Sequence, residues 1–183
     1  MNVTGITVEN FEPYIDDVYK FCELMLSELV KRDGYEQTEK NLSLDWENEP
    51  SSLLRKLHKN MFYALSLVYD ENKRVVAASA IDKFDDDTVV LLKRIGVIKE
   101  YRLKPVTSNY MLPQQIDWAR DNGWKKVMVS FNKYNKMLSV LMKRMKQGKG
   151  VVTTHSKLFN KFEYIGLLNI QNTEQYTYEY VLD

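Results

Sequence analysis

Two apolar strand segments enclose a helical segment in the middle of this chain, and few folds accommodate that order. The residue pattern predicts a strand over Thr88–Ile98, a helix over Ser108–Asn122 and a second strand over Lys125–Phe131, with Gly123 ending the helix. A helical crossover returns the chain to the same end of a sheet, so we expect the two strands to be parallel neighbours.

The rest of the chain predicts a mostly antiparallel sheet around that pair. Met61–Tyr69 and Val75–Phe84 are separated by a polar turn and form a predicted hairpin that continues antiparallel into the Thr88 strand. The other predicted elements are a strand at Ile6–Val8, helices at Tyr14–Lys31, Ser51–Lys59 and Asn135–Lys146, and a hairpin of Phe162–Ile170 and Gln175–Leu182. We therefore predict an α/β (α+β) fold, a mixed and mostly antiparallel twisted sheet with a central parallel strand pair, flanked by helices. With no repeat and no linker, residues 1–183 are predicted to form a single domain.

Composition excludes several classes of function. The chain has 26 basic and 25 acidic residues among 183, which argues against a dedicated nucleic-acid or membrane-surface protein. Its one cysteine, Cys22, cannot form an internal disulfide, and the sequence shows neither a signal peptide nor an apolar run long enough to span a membrane. The two histidines have no partners at metal-ligand spacing. We expect a cytoplasmic protein with no metal site.

The turn between the first parallel strand and the helix is basic. It runs from Val97 to Thr107 and carries Arg102 and Lys104 just before the predicted helix. A helix N-terminus attracts anions because its N–H groups are unpaired and its dipole is positive there. This turn is therefore the first candidate for an anion-binding site, and a solvated basic turn is the alternative.

This turn resembles the pyrophosphate-binding turn of the GCN5-related N-acetyltransferase (GNAT) family. The family pattern is a strand ending in Val-x-Pro-x-Tyr-Arg, followed by Arg/Gln-x-x-Gly-x-Gly/Ala. Two further stretches are similar to the family, Trp118–Asn132 and Asn135–Met142, the second lying where the family often has Asn-x-x-Ala-x-x-x-Tyr. The order of elements resembles the GNAT fold over roughly residues 3 to 182.

The resemblance implies an N-acyltransferase that moves an acetyl or other acyl group from acyl-coenzyme A (acyl-CoA) to the amine of a small molecule or a protein. Homo-oligomerisation stays open. The residues that the resemblance assigns to the coenzyme are Val97, Arg102, Leu103, Lys104, Val106, Thr107, Asn132 and Asn135.

Three departures from the family pattern bear on activity. The first expected glycine falls on Pro105, which has no N–H to donate, and the second on Thr107, whose side chain is branched. The tyrosine that often protonates the leaving thiolate in the family aligns with Met142, which has no proton to give. Tyr134 and Tyr110 are our candidates for a replacement acid.

Two alternatives to the enzyme remain open. The departures favour a catalytically degenerate GNAT-fold module that binds a partner or builds an assembly, for example in a phage. The basic stretch Lys133–Lys149 contains no acidic residue and suits a nucleic-acid backbone or the 3′-phosphate of coenzyme A, although a solvated helix face accounts for it as well. Pro113 adds a structural question, because it requires either a kinked helix or a helix that starts near it.

Overall fold

The strands of this protein form one seven-stranded sheet in the order β1-β2-β3-β4-β5-β7-β6. The computed structural model describes residues 1–7, 9–34, 36, 62–84, 86–102, 104–132, 161–170 and 173–183. In chain order the strands and α-helices are β1 (Asn2–Ile6), α1 (Ile15–Asp33), β2 (Phe62–Tyr69), β3 (Val75–Lys83), β4 (Val89–Val97), α2 (Leu112–Asp121), β5 (Lys126–Asn132), β6 (Glu163–Ile170) and β7 (Thr173–Val181). Short 3₁₀ turns lie at Glu12–Tyr14 and Lys99–Tyr101, and a π-helical turn lies at Thr107–Met111.

The predicted parallel pair is confirmed. Val89–Leu92 of β4 pairs in parallel with Lys126–Val129 of β5, and every other strand pair in the described sheet is antiparallel. The mixed, mostly antiparallel sheet flanked by helices is the predicted fold class.

The first strand lies earlier in the chain than predicted. We expected it at Ile6–Val8, but β1 ends at Ile6, which pairs with Leu65 of β2. The chain turns directly afterwards, where the backbone N–H of Thr7 donates to Asn10 Oδ1 at 2.7 Å. The other described elements begin and end within two residues of their predicted bounds, apart from the helix that contains Pro113. The helices predicted at Ser51–Lys59 and Asn135–Lys146 fall outside the described residues.

Pro113 is accommodated by a change of helix type. The π-helical turn comes first, and the N–H of Leu112 bonds to the carbonyl of Thr107 to close it. The α-helix begins at Leu112, so Pro113 lies in its first turn, where a missing N–H costs least. Of the two alternatives posed by the sequence, the α-helix starts near the proline.

The two helices pack on opposite faces of the sheet. Leu112, Ile116 and Ala119 of α2 lie in one buried cluster with β-strand residues such as Val90 and Val127. Val18, Phe21, Cys22 and Met25 of α1 belong to another, with Leu65 and Leu67 of β2. A fully buried aliphatic or aromatic side chain of this kind contributes about 1.5–3 kcal/mol. Within the described residues, no helix is both long enough and apolar enough to cross a bilayer.

Candidate functional site

Strands β4 and β5 stop pairing with each other after their fourth residue pair. The last pair is Leu92 with Val129, after which residues 130–132 of β5 pair with β7 alone in the described backbone. On its other side, β4 carries a bulge, since Ser79 pairs with Arg94 and Ala78 with Gly96, leaving Ile95 as the extra residue. A bulge bends its strand and increases the local twist. The carboxyl ends of two adjacent parallel strands therefore diverge and leave an opening in the sheet.

The opening has apolar walls. Leu92, Val97 and Val129 are buried. Tyr178 of β7 pairs with Val129. Burial raises the pKa of Tyr178, and the nearby Tyr164 and Tyr176 raise it further, so its hydroxyl stays protonated at neutral pH.

Backbone donors in the basic turn are largely used within the turn itself. The N–H groups of Arg102, Lys104 and Val106 donate to the carbonyls of Lys99, Tyr101 and Lys104, at 3.3, 3.0 and 2.8 Å. Pro105 contributes no N–H, and its carbonyl accepts the N–H of Asn109 at 2.9 Å. Three backbone N–H groups of the turn are therefore used within it, and Pro105 supplies none.

Both basic side chains predicted to hold a diphosphate have intramolecular partners. Arg102 donates from Nε to the carbonyl of Val97 at 2.9 Å and from Nη2 to Glu28 Oε2 at 2.5 Å. The ammonium of Lys104 lies 3.9 Å from the centre of the Tyr101 ring. A guanidinium has five N–H donors, and the described residues accept from two of those of Arg102.

A buried carboxylate fixes this turn to the β2–β3 hairpin. Asp70 Oδ1 accepts the backbone N–H groups of Asn72 and Arg74 at 2.9 and 3.0 Å, and Oδ2 accepts the Tyr101 hydroxyl at 3.3 Å. Hydrogen bonds, first that from the backbone of Arg74, hold the pKa of Asp70 below its ordinary value. Arg74 also pairs with Glu100 at 2.8 Å. The 3₁₀ turn that begins the basic segment is therefore held to the β2–β3 hairpin through both Glu100 and Tyr101.

The other predicted site residues lie in different parts of the fold or outside the described residues. Val106 is buried in the core beside α1, and Thr107 opens the π-helical turn. For Asn132 only the backbone, at the end of β5, is described. Leu103, Tyr134 and Asn135 lie outside the described residues. No group of three metal-ligating side chains occurs in the described part of the chain.

Tyr110 lies on the π-helical turn that precedes α2. That turn contacts β1, β2 and β3, whereas α2 contacts β4 and β5. Tyr110 lines a groove of about 450 Å³ together with Val3 of β1 and the outer residues of α2. This candidate acid therefore lies beside β1, and its role stays a prediction.

Comparison with known proteins identifies the fold. No protein-family model matches the sequence, and no curated protein matches it. Among solved structures, an acetyltransferase of the GNAT family from Staphylococcus aureus superposes with a TM-score of 0.58, at 14% identity over 99% of each chain. The paiA N-acetyltransferase from Thermoplasma acidophilum, solved in complex with coenzyme A, superposes with a TM-score of 0.60, at 9% identity over 99% of each chain. The chain has the GNAT fold from end to end, as the turn and the element order predicted.

Proposed function

We propose that this protein is an N-acyltransferase that uses acyl-CoA to acylate an amine. The observation that carries the proposal is the opening between β4 and β5, which lies directly before a basic turn and the start of a helix. The GNAT fold supports it, since one neighbour of that fold is an N-acetyltransferase in complex with coenzyme A. A fold alone hosts many functions, so the argument depends on what these residues offer a thioester.

The described residues fit an acyl-CoA donor through side chains more than through backbone. The described residues accept from only two of the five N–H groups of Arg102, which suits a diphosphate, and Lys104 reaches one by leaving the Tyr101 ring. The buried Leu92 and Val129 offer an apolar wall to the uncharged arm of the coenzyme. Acyl-CoA would supply the acyl group as a thioester.

The proposed reaction needs few catalytic groups from the protein. A neutral amine attacks the thioester carbonyl, a C–N bond forms, the C–S bond breaks, and the proton lost by the amine balances the one gained by the thiolate. Backbone N–H groups of residues 130–132 lie where β5 has left β4, and one of them is our candidate for polarising the carbonyl. Tyr134 stays our candidate for the acid. We place the reaction in the cytoplasm, and the acceptor is an amine on a small molecule or a protein.

A specific observation favours a second function, the non-catalytic module. The N–H groups of Arg102, Lys104 and Val106 are bonded within the turn, and Arg102 is paired with Glu28. A chain that no longer binds a phosphate would satisfy its donors in this way. A non-catalytic module would need neither the opening between β4 and β5 nor the positive charges of Arg102 and Lys104.

A matched pair of arginine variants separates the two functions. Arg102 and Arg120 are exposed to similar degrees, 37% and 41%, and each is paired with one carboxylate. We expect Arg102→Ala to weaken acetyl-CoA binding about tenfold or more, because a charge-assisted hydrogen bond is worth about 1.5–3 kcal/mol. Arg120→Ala should leave the affinity unchanged. Calorimetric titration measures the affinities, and thiol release with a panel of amines measures turnover.

Equal affinities for the two variants and the wild type would reject Arg102 as the phosphate contact. Absence of both binding and thiol release in the wild type would favour the module.

A further inference from the structure

The carboxylate of Glu28 uses the same donors that an anion would use at the basic turn. Its Oε1 and Oε2 accept the backbone N–H of Lys99 at 2.9 and 3.1 Å, and Oε2 also accepts from the guanidinium of Arg102. Glu28 lies on α1 and its side chain is only 18% exposed. A backbone N–H together with a guanidinium is a donor set suited to a phosphate oxygen.

Close packing of α1 on the end of β4 brings Glu28 to this position. Gly96 lies opposite α1, and a Cβ there would stand 2.7 Å from the terminal methyl of Met25. Met25 precedes Glu28 by three residues, so the two side chains emerge from neighbouring positions on one side of the helix. The absence of a side chain at Gly96 therefore lets α1 approach the turn that follows β4.

A ligand phosphate and the Glu28 carboxylate cannot use these donors independently. Two anions within a few ångströms repel each other strongly when partly shielded from water, and each satisfies the same N–H groups. Asp70, which also contacts the turn, bonds to Tyr101 on its other side and does not contact Arg102 in the described bonds. The competition therefore involves Glu28 specifically.

We propose that Glu28 is an internal anion of the basic turn and lowers the affinity of that turn for the phosphates of an incoming donor. The inference rests on the proposed function for its ligand, acyl-CoA, but the competition itself concerns any diphosphate. A ligand must displace the Glu28 carboxylate from Arg102 or share the guanidinium with it. Glu28 thereby sets how tightly the donor binds.

The test removes the charge of Glu28 and keeps its shape. Glu28→Gln retains a side-chain oxygen that accepts the Lys99 N–H, and a urea unfolding curve checks that the variant folds. Glu23→Gln removes the same charge from an exposed position on the same helix and serves as the matched control. Inorganic pyrophosphate and acetyl-CoA are titrated by calorimetry into the wild type and both variants, at about 0.05 M and 0.3 M salt.

We expect Glu28→Gln to bind pyrophosphate about tenfold more tightly than the wild type at both salt concentrations, because the competing contact is shorter than the Debye length. Glu23→Gln should match the wild type at high salt. A Glu28→Gln protein that binds pyrophosphate no better than the wild type, or no binding in any of the three proteins, would overturn the inference.

The acetyl-CoA titrations keep the two proposals apart. Tighter pyrophosphate binding by Glu28→Gln with no acetyl-CoA binding in any protein would support the internal anion and reject the acyltransferase. Acetyl-CoA binding that is equal in the wild type and Glu28→Gln would support the acyltransferase and reject the internal anion.

Discussion

Replacing Pro105 by glycine should tighten the binding of acetyl-CoA. The change gives the turn a backbone N–H at the position where the GNAT pattern has its first glycine. The carbonyl of residue 105 still accepts the N–H of Asn109, so the start of the π-helical turn is kept.

The magnitude follows from two opposing contributions. A hydrogen bond from an N–H to a charged phosphate oxygen stabilises the complex by about 1.5–3 kcal/mol. Ordering a glycine in place of a proline costs about 1 kcal/mol. The difference, about 0.5–2 kcal/mol, corresponds to binding that is roughly 2- to 30-fold tighter.

Two further proline variants sharpen the calorimetric titration. Pro105→Ala also restores the N–H but keeps a Cβ, so its affinity should lie between those of the wild type and Pro105→Gly. Pro113→Ala restores an N–H inside the first turn of α2 and should leave the affinity unchanged. If Pro105→Gly binds acetyl-CoA no more tightly than the wild type, the N–H that Pro105 lacks does not limit the binding of acetyl-CoA. The turn then does not bind phosphate through its backbone N–H groups.

Three further predictions concern stability and turnover. Tyr69→Phe removes the hydroxyl that donates to Asp17 Oδ2 at 2.8 Å, and should lower the free energy of unfolding by about 1 kcal/mol in urea titrations; no loss would show that water replaces the bond fully. The folded protein depresses the pKa of Asp70, so the stabilisation that the Asp70 carboxylate gives the fold is complete above the ordinary pKa of 3.8 and is lost as the pH falls through the depressed pKa. The urea midpoint of Asp70→Asn should therefore depend less on pH below about 4 than the midpoint of the wild type. Parallel pH curves for the two proteins would contradict this role of Asp70. Met142→Tyr should raise thiol release severalfold or more, since a general acid is worth about 10²–10⁴-fold, whereas Tyr110→Phe should leave it unchanged; a slowed Tyr110→Phe would mean that this hydroxyl reaches the thioester.

The parallel strand pair followed from the sequence because its signals are local. The apolar runs at 88–98 and 125–131 and the helix between them are each visible in a short stretch of sequence. A helical crossover of this kind joins two parallel strands. The first strand was misplaced because pairing with β2 decides its register, and β2 lies about sixty residues away.

Glu28 was missed for a related reason. It lies among ordinary polar residues of α1, and its bond to Lys99 joins positions 71 residues apart in sequence. The glycine that lets α1 approach, Gly96, lies inside a strand, where sequence indicates only a bulge or a close contact and not the partner. The basic turn could be predicted from its residues. The hydrogen bonds that its N–H groups make within the protein could not, because they depend on how three elements pack around the turn.

Calorimetric titration of the wild-type protein with acetyl-CoA tests the central claim most directly. We expect saturable binding of one acetyl-CoA per chain at micromolar concentration or tighter, because the opening between β4 and β5 is present and the described residues accept from only two N–H groups of Arg102. No heat of binding up to millimolar acetyl-CoA would contradict the acyltransferase and leave the GNAT-fold module.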